Sequence, residues 1–201
     1  MKTIKRITLT LTFLVALVSI NAQSFKFGIQ AGSNFAVQSQ IGDYYTNSDI
    51  RTGLHAGIFG NYAFSQVLSL QTEIAYDQKG SKTESIKNNF DYVTVPLFIK
   101  YSLGKSWKTP LRFNIYSGPY VGFLVNAESK DESGETNQTT DLKDNTNVAE
   151  FGILSGIGLK YPVNQHNILF DIRLGLGITP YKKNDYVPKN KYIGLSLGYE
   201  F

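Results

Sequence analysis

Two histidines and several carboxylates are the residues of this chain that are best suited to catalysis or metal binding. His55 and His166 are the only imidazoles, and no Cys is present, which excludes disulfides and zinc–thiolate sites. A metal site needs three or four convergent ligands, and neither histidine has acidic neighbours at such a spacing. Glu73 and Asp77 form a candidate carboxylate pair, but such groups are more often partners of Lys or Arg. We therefore predict no catalytic, cofactor-binding or metal-binding residue.

A strongly acidic stretch occupies residues 126–147. Its six Asp and Glu residues against Lys130 and Lys143 give it a net charge of −4. Solubility alone explains this composition if the stretch is a solvated loop. A weak Ca²⁺ site or a partner-binding loop is the alternative. Residues 131–135 lack the ligand spacing and central glycine of an EF-hand.

The elements that carry these residues alternate between apolar and polar positions. Period-two patterns, typical of β-strands with two different faces, recur eight times along the chain. They cover residues 25–35, 52–64, 67–78, 92–101, 111–125, 148–161, 167–178 and 191–201.

One face of every segment is free of charge, and the other is polar. The polar face includes His55 and nine charged residues, which we predict to form a charge network: Lys26, Glu73, Asp77, Lys100, Glu150, Lys160, Asp171, Arg173 and Glu200. Four basic against five acidic groups suit ion pairing inside a narrow lumen. Pro96 and Pro119 remove ladder donors, so each predicts a β-bulge that would shift the faces beyond it.

The first 22 residues have the features of a secretory signal peptide. Lys2, Lys5 and Arg6 precede an apolar run over residues 7–20, and Ala22 precedes the expected cleavage site. The run is shorter than the roughly 20 apolar residues of a membrane-spanning helix. We predict that residues 1–22 are removed and that residues 23–201 form one exported domain.

Composition and charge agree with an exported β-protein. The 201 residues include 13 Tyr, 13 Phe and 18 Gly, which favours β-structure. Removal of the signal peptide leaves 17 basic against 16 acidic residues and lowers the net charge from +4 to +1. A nucleic-acid-binding protein is therefore not supported.

Connection lengths and aromatic residues favour a membrane barrel over a soluble, lipocalin-like one. Short and long gaps between segments alternate, as in outer-membrane barrels, which places both termini at the short-turn, periplasmic end. Aromatic residues of the apolar face gather at the segment ends, where two girdles are expected at the lipid headgroups. The predicted fold is thus all-β, an eight-stranded antiparallel up-and-down transmembrane β-barrel in a bacterial outer membrane.

Several motifs resemble those of the PorT-type family, the small outer-membrane barrels also labelled "porin family" or "outer membrane protein β-barrel domain". They are GIQAGSNF (28–35), GLHAG (53–57), LQTEIAY with QKG (70–76 and 78–80), VPLFIKY (95–101), GPY (118–120) and LGYEF (197–201). The resemblance implies that Leu197, Tyr199 and Phe201 are read by the outer-membrane assembly machinery. Some members of this family serve secretion or gliding.

The resulting functional expectation is a non-enzymatic barrel that acts through its extracellular loops. Eight strands leave room for little more than side chains, and inward Tyr116 and Tyr120 would help to plug the lumen. A narrow channel and a secretion accessory are the alternatives. Expected partners are outer-membrane lipid and lipopolysaccharide, which the basic stretch 179–191 could contact, and no specific protein partner is identified.

Overall fold

The structure, a computed structural model, describes residues 25–39, 49–83, 85–104, 110–131, 138–181 and 189–201. The predicted signal peptide, residues 1–22, lies outside this part of the chain. No helix in the described ranges is long and apolar enough to cross a membrane. The described elements are the strands β1 (Phe25–Ser39), β2 (Arg51–Ala63), β3 (Leu68–Lys82), β4 (Ile86–Leu103), β5 (Arg112–Asp131), β6 (Gln138–Asp141), β7 (Ala149–Val163), β8 (His166–Gly177) and β9 (Lys189–Glu200), with one 3-10 turn, Lys143–Asn145.

Eight of these strands close into a ring, as the alternating pattern predicts. The order β4-β3-β2-β1-β9-β8-β7-β5 returns to its start through the β4–β5 pairing, and every pairing is antiparallel. The seam between β1 and β9 runs from Gly28↔Glu200 to Ser39↔Lys189. β6 is short and pairs only with the far end of β5. The prediction of an eight-stranded antiparallel barrel is confirmed.

The two faces of the wall follow the predicted alternation. Ile58 is 59% exposed on the outside, whereas its neighbour Phe59 is 3% exposed inside. The same contrast separates outward Ile172 from inward Arg173. An exterior of apolar side chains around a polar interior is the reverse of a water-soluble protein and suits a barrel surrounded by lipid.

The predicted bulges at Pro96 and Pro119 are wrong. Pairing is interrupted near Pro96, but Val95↔Val121 and Ile99↔Ser117 share one register, so the faces do not change there. The register shifts between Asp91 and Tyr92, opposite an extra residue of β5, Val125. The parity of β5 changes at this bulge, because Val125 is exposed and Ala127 is 1% exposed.

Four strands extend well beyond their apolar patterns. β1 continues into residues 36–39, β3 into 79–82 and β5 into 126–131, and β4 begins earlier, over residues 86–91; all of these were expected to be loops. β5 has 20 residues, roughly 65 Å of extended chain, and even tilted it exceeds the ~30 Å hydrocarbon core. Beyond the lipid both faces can be polar, so alternation fades while ladder hydrogen bonds continue.

Four inward rings each lie on a glycine of the next strand. Direct cross-strand pairs join Phe59 to Gly28, Tyr116 to Gly156, Tyr120 to Gly152 and Tyr192 to Gly175. A Cβ at any of these glycines would overlap the paired ring. These four glycines thus make room for aromatic side chains of the lumen.

The two ends of the barrel differ as the gap lengths predict. Short turns at 64–67 and 164–165 lie at the end where β1 begins and β9 finishes, and Asn164 adopts φ 56° in the second turn. Aromatic rings gather at this periplasmic end, including Phe25 against Phe27 and Tyr199 against Phe201. His166 stacks on Tyr199 with ring centroids 5.3 Å apart, so it belongs to this girdle.

Candidate functional site in the barrel lumen

An arginine–glutamate pair crosses the middle of the lumen. Arg173 donates from Nη1 to Oε2 of Glu73 at 2.8 Å and from Nη2 to Oε1 at 3.0 Å. Glu73 lies on β3 and Arg173 on β8, four strands apart in either direction around the ring. The pair therefore joins opposite walls, and both residues are at most 4% exposed.

Amide side chains complete this central layer. Gln30 donates to Glu73 at 2.7 Å and accepts from Arg173 at 2.7 Å, so it closes a three-residue cycle. Gln71 donates to Glu73 at 2.8 Å and accepts from Lys100 at 2.7 Å. Both Nη atoms of Arg173 and both carboxylate oxygens of Glu73 are hydrogen-bonded, whereas the buried Nε of Arg173 has no partner among the described residues. A bidentate pair with additional amide hydrogen bonds is an arrangement in which buried charges cost little.

A second layer lies toward the extracellular end and is centred on Lys79. Its Nζ is 3.2 Å from Oε1 of Glu150 and lies over the rings of Tyr92, Tyr120 and Tyr192, at 4.9, 4.6 and 5.0 Å from their centroids. Tyr120 also donates its hydroxyl to Glu150, and Asn190 donates to the same carboxylate at 3.0 Å. Lys79 is completely buried, with a carboxylate and three aromatic faces around its charge.

His55 forms a smaller group with Asp77. The Nδ1 atom of His55 is 2.8 Å from Asp77, which also accepts from Asn34 at 2.8 Å. The Nε2 atom of His55 is buried and has no hydrogen-bond partner among the described residues. The group has the base and the orienting acid of a hydrolytic triad, but its buried imidazole has no nucleophile hydrogen-bonded to it in the described chain.

A third layer lies at the periplasmic end around Glu200. Lys160 pairs with its carboxylate, Lys26 approaches to 3.9 Å, and Asn167 donates at 2.9 Å. Glu200 is 1% exposed, whereas the side chains of Lys26 and Lys160 are 36% and 18% exposed. The pair thus lies where the lumen meets the periplasm.

All nine residues of the predicted charge network face inward, but they do not pair as a single set. The structure joins Arg173 to Glu73, and Lys26 and Lys160 to Glu200. Lys100 bonds an amide rather than a carboxylate, and Asp171 is buried with no basic group within 4 Å in the described ranges. Glu150 and Asp77 bind Lys79 and His55, which the network did not include.

Sequence reasoning missed Lys79 because it fell in a presumed loop with Gly80 and Ser81. It also missed the inward amides that complete the layers: Gln30, Asn34, Gln71, Asn167 and Asn190. Their position on the polar face was the available signal, because an inward amide beside a charge is positioned to satisfy it.

Beyond the lumen, the extracellular extensions carry a separate polar cluster. Arg51 donates to Asn89 at 2.7 Å, and Asn89 donates to Glu128 at 2.9 Å. The hydrogen bond from Asn89 and the nearby Lys130 hold the pKa of Glu128 below its usual range. The predicted acidic loop is therefore partly strand, and its residues 132–137 lie outside the described chain, as do Lys182, Lys183 and Asp185 of the basic stretch.

The residues proposed for assembly lie on the final strand and directly after it. Leu197 and Tyr199 face outward on β9, and Phe201 follows the strand with 53% of its surface exposed. The Phe201 amide donates to the carbonyl of Phe27 at 2.8 Å. In the described ranges no group of three or more His, Cys, Asp or Glu is arranged to hold a metal ion.

Comparison with known proteins gives a family and a fold. A family model described as "Outer membrane protein beta-barrel domain" matches residues 21–183. Among solved structures, Neisserial surface protein A superposes with a TM-score of 0.51 at 15% identity, over 87% of this chain and 95% of that one. A major outer membrane protein from Thermus thermophilus gives 0.52 at 14% identity, over 88% and 99%. No curated protein matches significantly.

Proposed function

The chain belongs to the outer membrane protein beta-barrel domain family, and we propose that it is a non-enzymatic barrel whose lumen is plugged by its own side chains. The protein is located in the outer membrane, as its family and its apolar exterior indicate. Its contacts with other molecules then occur at its rims and at the lipid-facing surface rather than through an open pore.

The observation that carries the proposal is the Arg173–Glu73 pair across the barrel axis. An ion pair between opposite walls occupies the centre of the lumen, and Gln30 and Gln71 fill the space beside it. The Lys79 layer lies on its extracellular side, so a solute would have to displace two hydrogen-bonded layers of buried charge. Breaking such a buried pair costs several kcal/mol, on the order of 3–5.

A non-enzymatic role is favoured by the chemistry of the described residues. The His55–Asp77 pair is the nearest approach to catalytic machinery, and His55 is only 5% exposed. The extracellular ends instead offer charged side chains on extended strands, suited to contact lipopolysaccharide or another surface molecule. We also propose that Leu197, Tyr199 and Phe201 form the signal for the assembly machinery.

Single-channel recording in planar bilayers tests the plugged lumen. We expect no steady openings from the wild-type protein, and brief or noisy openings from Arg173→Ala, in which the axial pair is broken. The matched control is Lys191→Ala, an exposed residue on β9, which should remain silent like the wild type. Large, stable openings of the unmutated protein would contradict the proposal and favour a narrow channel.

A PorT-like accessory role in secretion is the remaining alternative. It predicts stable co-purification of this barrel with periplasmic or membrane components of a secretion system after mild crosslinking. A barrel recovered without such components supports the proposal made here.

A further inference from the structure

The charges of the lumen are segregated along the barrel axis. In the described part of the wall, the inward charges nearest the periplasm are Lys26, Lys100, Arg112 and Lys160, against Glu200 alone. The middle and upper lumen instead hold most of the carboxylates, including Glu73, Asp77, Glu150 and Asp171. Acidic and basic residues are thus nearly equal in number over the whole lumen, but its periplasmic end has a surplus of three positive charges.

Three of these four cations line an open cavity. A cavity of about 430 Å³ lies at the periplasmic end, where Lys26, Arg112 and Lys160 line it together with Asn61, Ser69 and Ser102. The β2–β3 turn, residues 64–67, forms part of its rim, so the cavity opens toward the periplasm. Above it, Lys100 and Gln71 connect it to the central layer. We call this space the basic vestibule.

Glu200 does not balance the basic vestibule. Its carboxylate is shared by Lys160 and, at 3.9 Å, by Lys26, while Lys26 and Lys100 both repel the Lys160 ammonium. Within the described chain Arg112 has no carboxylate within 4 Å. Like charges gathered in a narrow, partly buried space are costly unless counter-ions join them.

We propose that the basic vestibule binds a small polyvalent anion that presents phosphate or carboxylate oxygens from the periplasmic side. The Arg112 guanidinium offers the planar fork that recognises such groups, and Lys26 and Lys160 add point charges. The Ser69 hydroxyl and the second hydrogen of the Asn61 amide, whose Nδ2 also donates to Glu200 at 3.5 Å, can donate to the remaining oxygens. The volume suits an ion or a small metabolite rather than a polymer.

Two sources could supply this chemistry, a free periplasmic anion and the phosphate of an inner-leaflet lipid headgroup. Anion binding by the vestibule does not depend on whether the lumen above is plugged, because the vestibule is a side-chain cavity at one mouth of the barrel. The result of the conductance measurement therefore neither supports nor contradicts anion binding by the vestibule.

Titration calorimetry with inorganic pyrophosphate, on folded protein in an uncharged maltoside detergent, tests the proposal. We expect saturable binding that weakens as salt increases. The double variant Lys26→Gln/Arg112→Gln should bind about tenfold or more weakly, since each lost contact is a charge-assisted hydrogen bond. Neither change leaves Glu200 without Lys160, so the variant should fold, and Arg112→Gln alone should show a smaller loss.

The control pair Lys87→Gln/Lys191→Gln removes the same charge at the opposite end and should bind like the wild type. Absence of saturable binding by the wild type, or an equal loss in both double variants, would overturn the proposal. Repeating the titration in phosphatidylglycerol and phosphatidylcholine vesicles separates the sources. If phosphatidylglycerol competes with pyrophosphate for the wild type but not for Lys26→Gln/Arg112→Gln, the ligand is a lipid headgroup. If phosphatidylglycerol does not compete with pyrophosphate, the ligand is a free anion.

Discussion

At the scale of single residues, each buried charge of this lumen is described by the number of partners that satisfy it. Arg173 and Glu73 share two hydrogen bonds with each other, and Gln30 bonds both of them. Lys79 has one carboxylate and three rings, whereas Asp171 is buried without a basic partner in the described ranges. The residues with most partners are those whose loss should cost most.

Arg173→Ala should lower the free energy of unfolding by about 3–5 kcal/mol, because it leaves the Glu73 carboxylate buried and unpaired. Urea unfolding in lipid vesicles, followed by far-ultraviolet circular dichroism, measures the change. The exposed Lys191→Ala should shift the same curve by less than about 0.5 kcal/mol. A loss below about 1 kcal/mol for Arg173→Ala would mean that water reaches the pair.

At the scale of elements, the strands are set by two matched features, apolar residues outside and glycine–ring pairs inside. The outward face could be predicted from sequence, because lipid demands an apolar residue at every second position. The pairing of Tyr120 with Gly152 could not, since it depends on the register between β5 and β7. Register comes from turn geometry and packing, which a single strand does not encode.

Gly152→Ala should destabilise the barrel by about 1–3 kcal/mol, since its Cβ would overlap both the Tyr120 ring and the carbonyl oxygen of Leu176. Gly122→Ala is the matched control, another inward strand glycine. Its Cβ would lie 3.4 Å from Tyr92, an ordinary contact. We expect that variant to be neutral or stabilised by up to about 1 kcal/mol in the same unfolding assay. Equal losses would contradict the ring–glycine account.

Ile157→Arg should cost about 2–4 kcal/mol, because Ile157 lies near the middle of the span between two outward aromatic residues of β7, Phe151 and Tyr161. Ile178→Arg is expected to cost only about 0–1 kcal/mol, since the Ile178 amide bonds the carbonyl of Phe151 at the extracellular girdle. Vesicle unfolding free energies provide the comparison. If the two variants lose equal stability, the membrane is not centred where the girdles place it.

From the sequence alone, Gly158→Ser is predicted to cost less stability than Ile157→Arg, because residue 158 faces the lumen. The structure places Asp171 against that site, so an added Cβ would meet its carboxylate. Likewise the extent of β3 to β5 beyond the lipid was not predictable from alternation. Their polar, Asn- and Gly-containing ends resemble loops in composition, and only the hydrogen-bonded partners distinguish them.

At the scale of the whole molecule, the barrel is a closed ladder with no free edge among its eight wall strands. Fold, membrane location and the inward position of the charges were accessible from sequence. Period two predicts the strands and their two faces, and the connection lengths and aromatic girdles indicate which face meets lipid. The assortment of those charges into layers was not, since Glu73 and Arg173 are 100 residues apart. The periplasmic surplus of cations became visible only when the strands were aligned.

Closure predicts the behaviour of the intact protein on gels. Unheated protein should migrate faster than boiled protein on SDS gels, because a closed ladder resists detergent at room temperature. Outer-membrane fractions are the material to test. A variant with proline in the β1–β9 seam, Leu195→Pro, should lose this difference, since proline removes a ladder donor. An unchanged mobility shift in that variant would mean that the seam is not needed for the compact form.

At the β1–β9 seam, closure of the ring competes with pairing between two copies of the chain. Residues that meet there, such as Ile29 and Tyr199, are 170 positions apart, so the last bonds to form are among the most distant in the chain. Until they form, the sheet has two open edges, and either edge can pair with a second copy. Closure is a first-order process, whereas pairing between copies grows with the square of concentration. The mean hydropathy of −0.18 keeps the open chain compatible with water. Low protein concentration should therefore favour closure of the ring over pairing between copies.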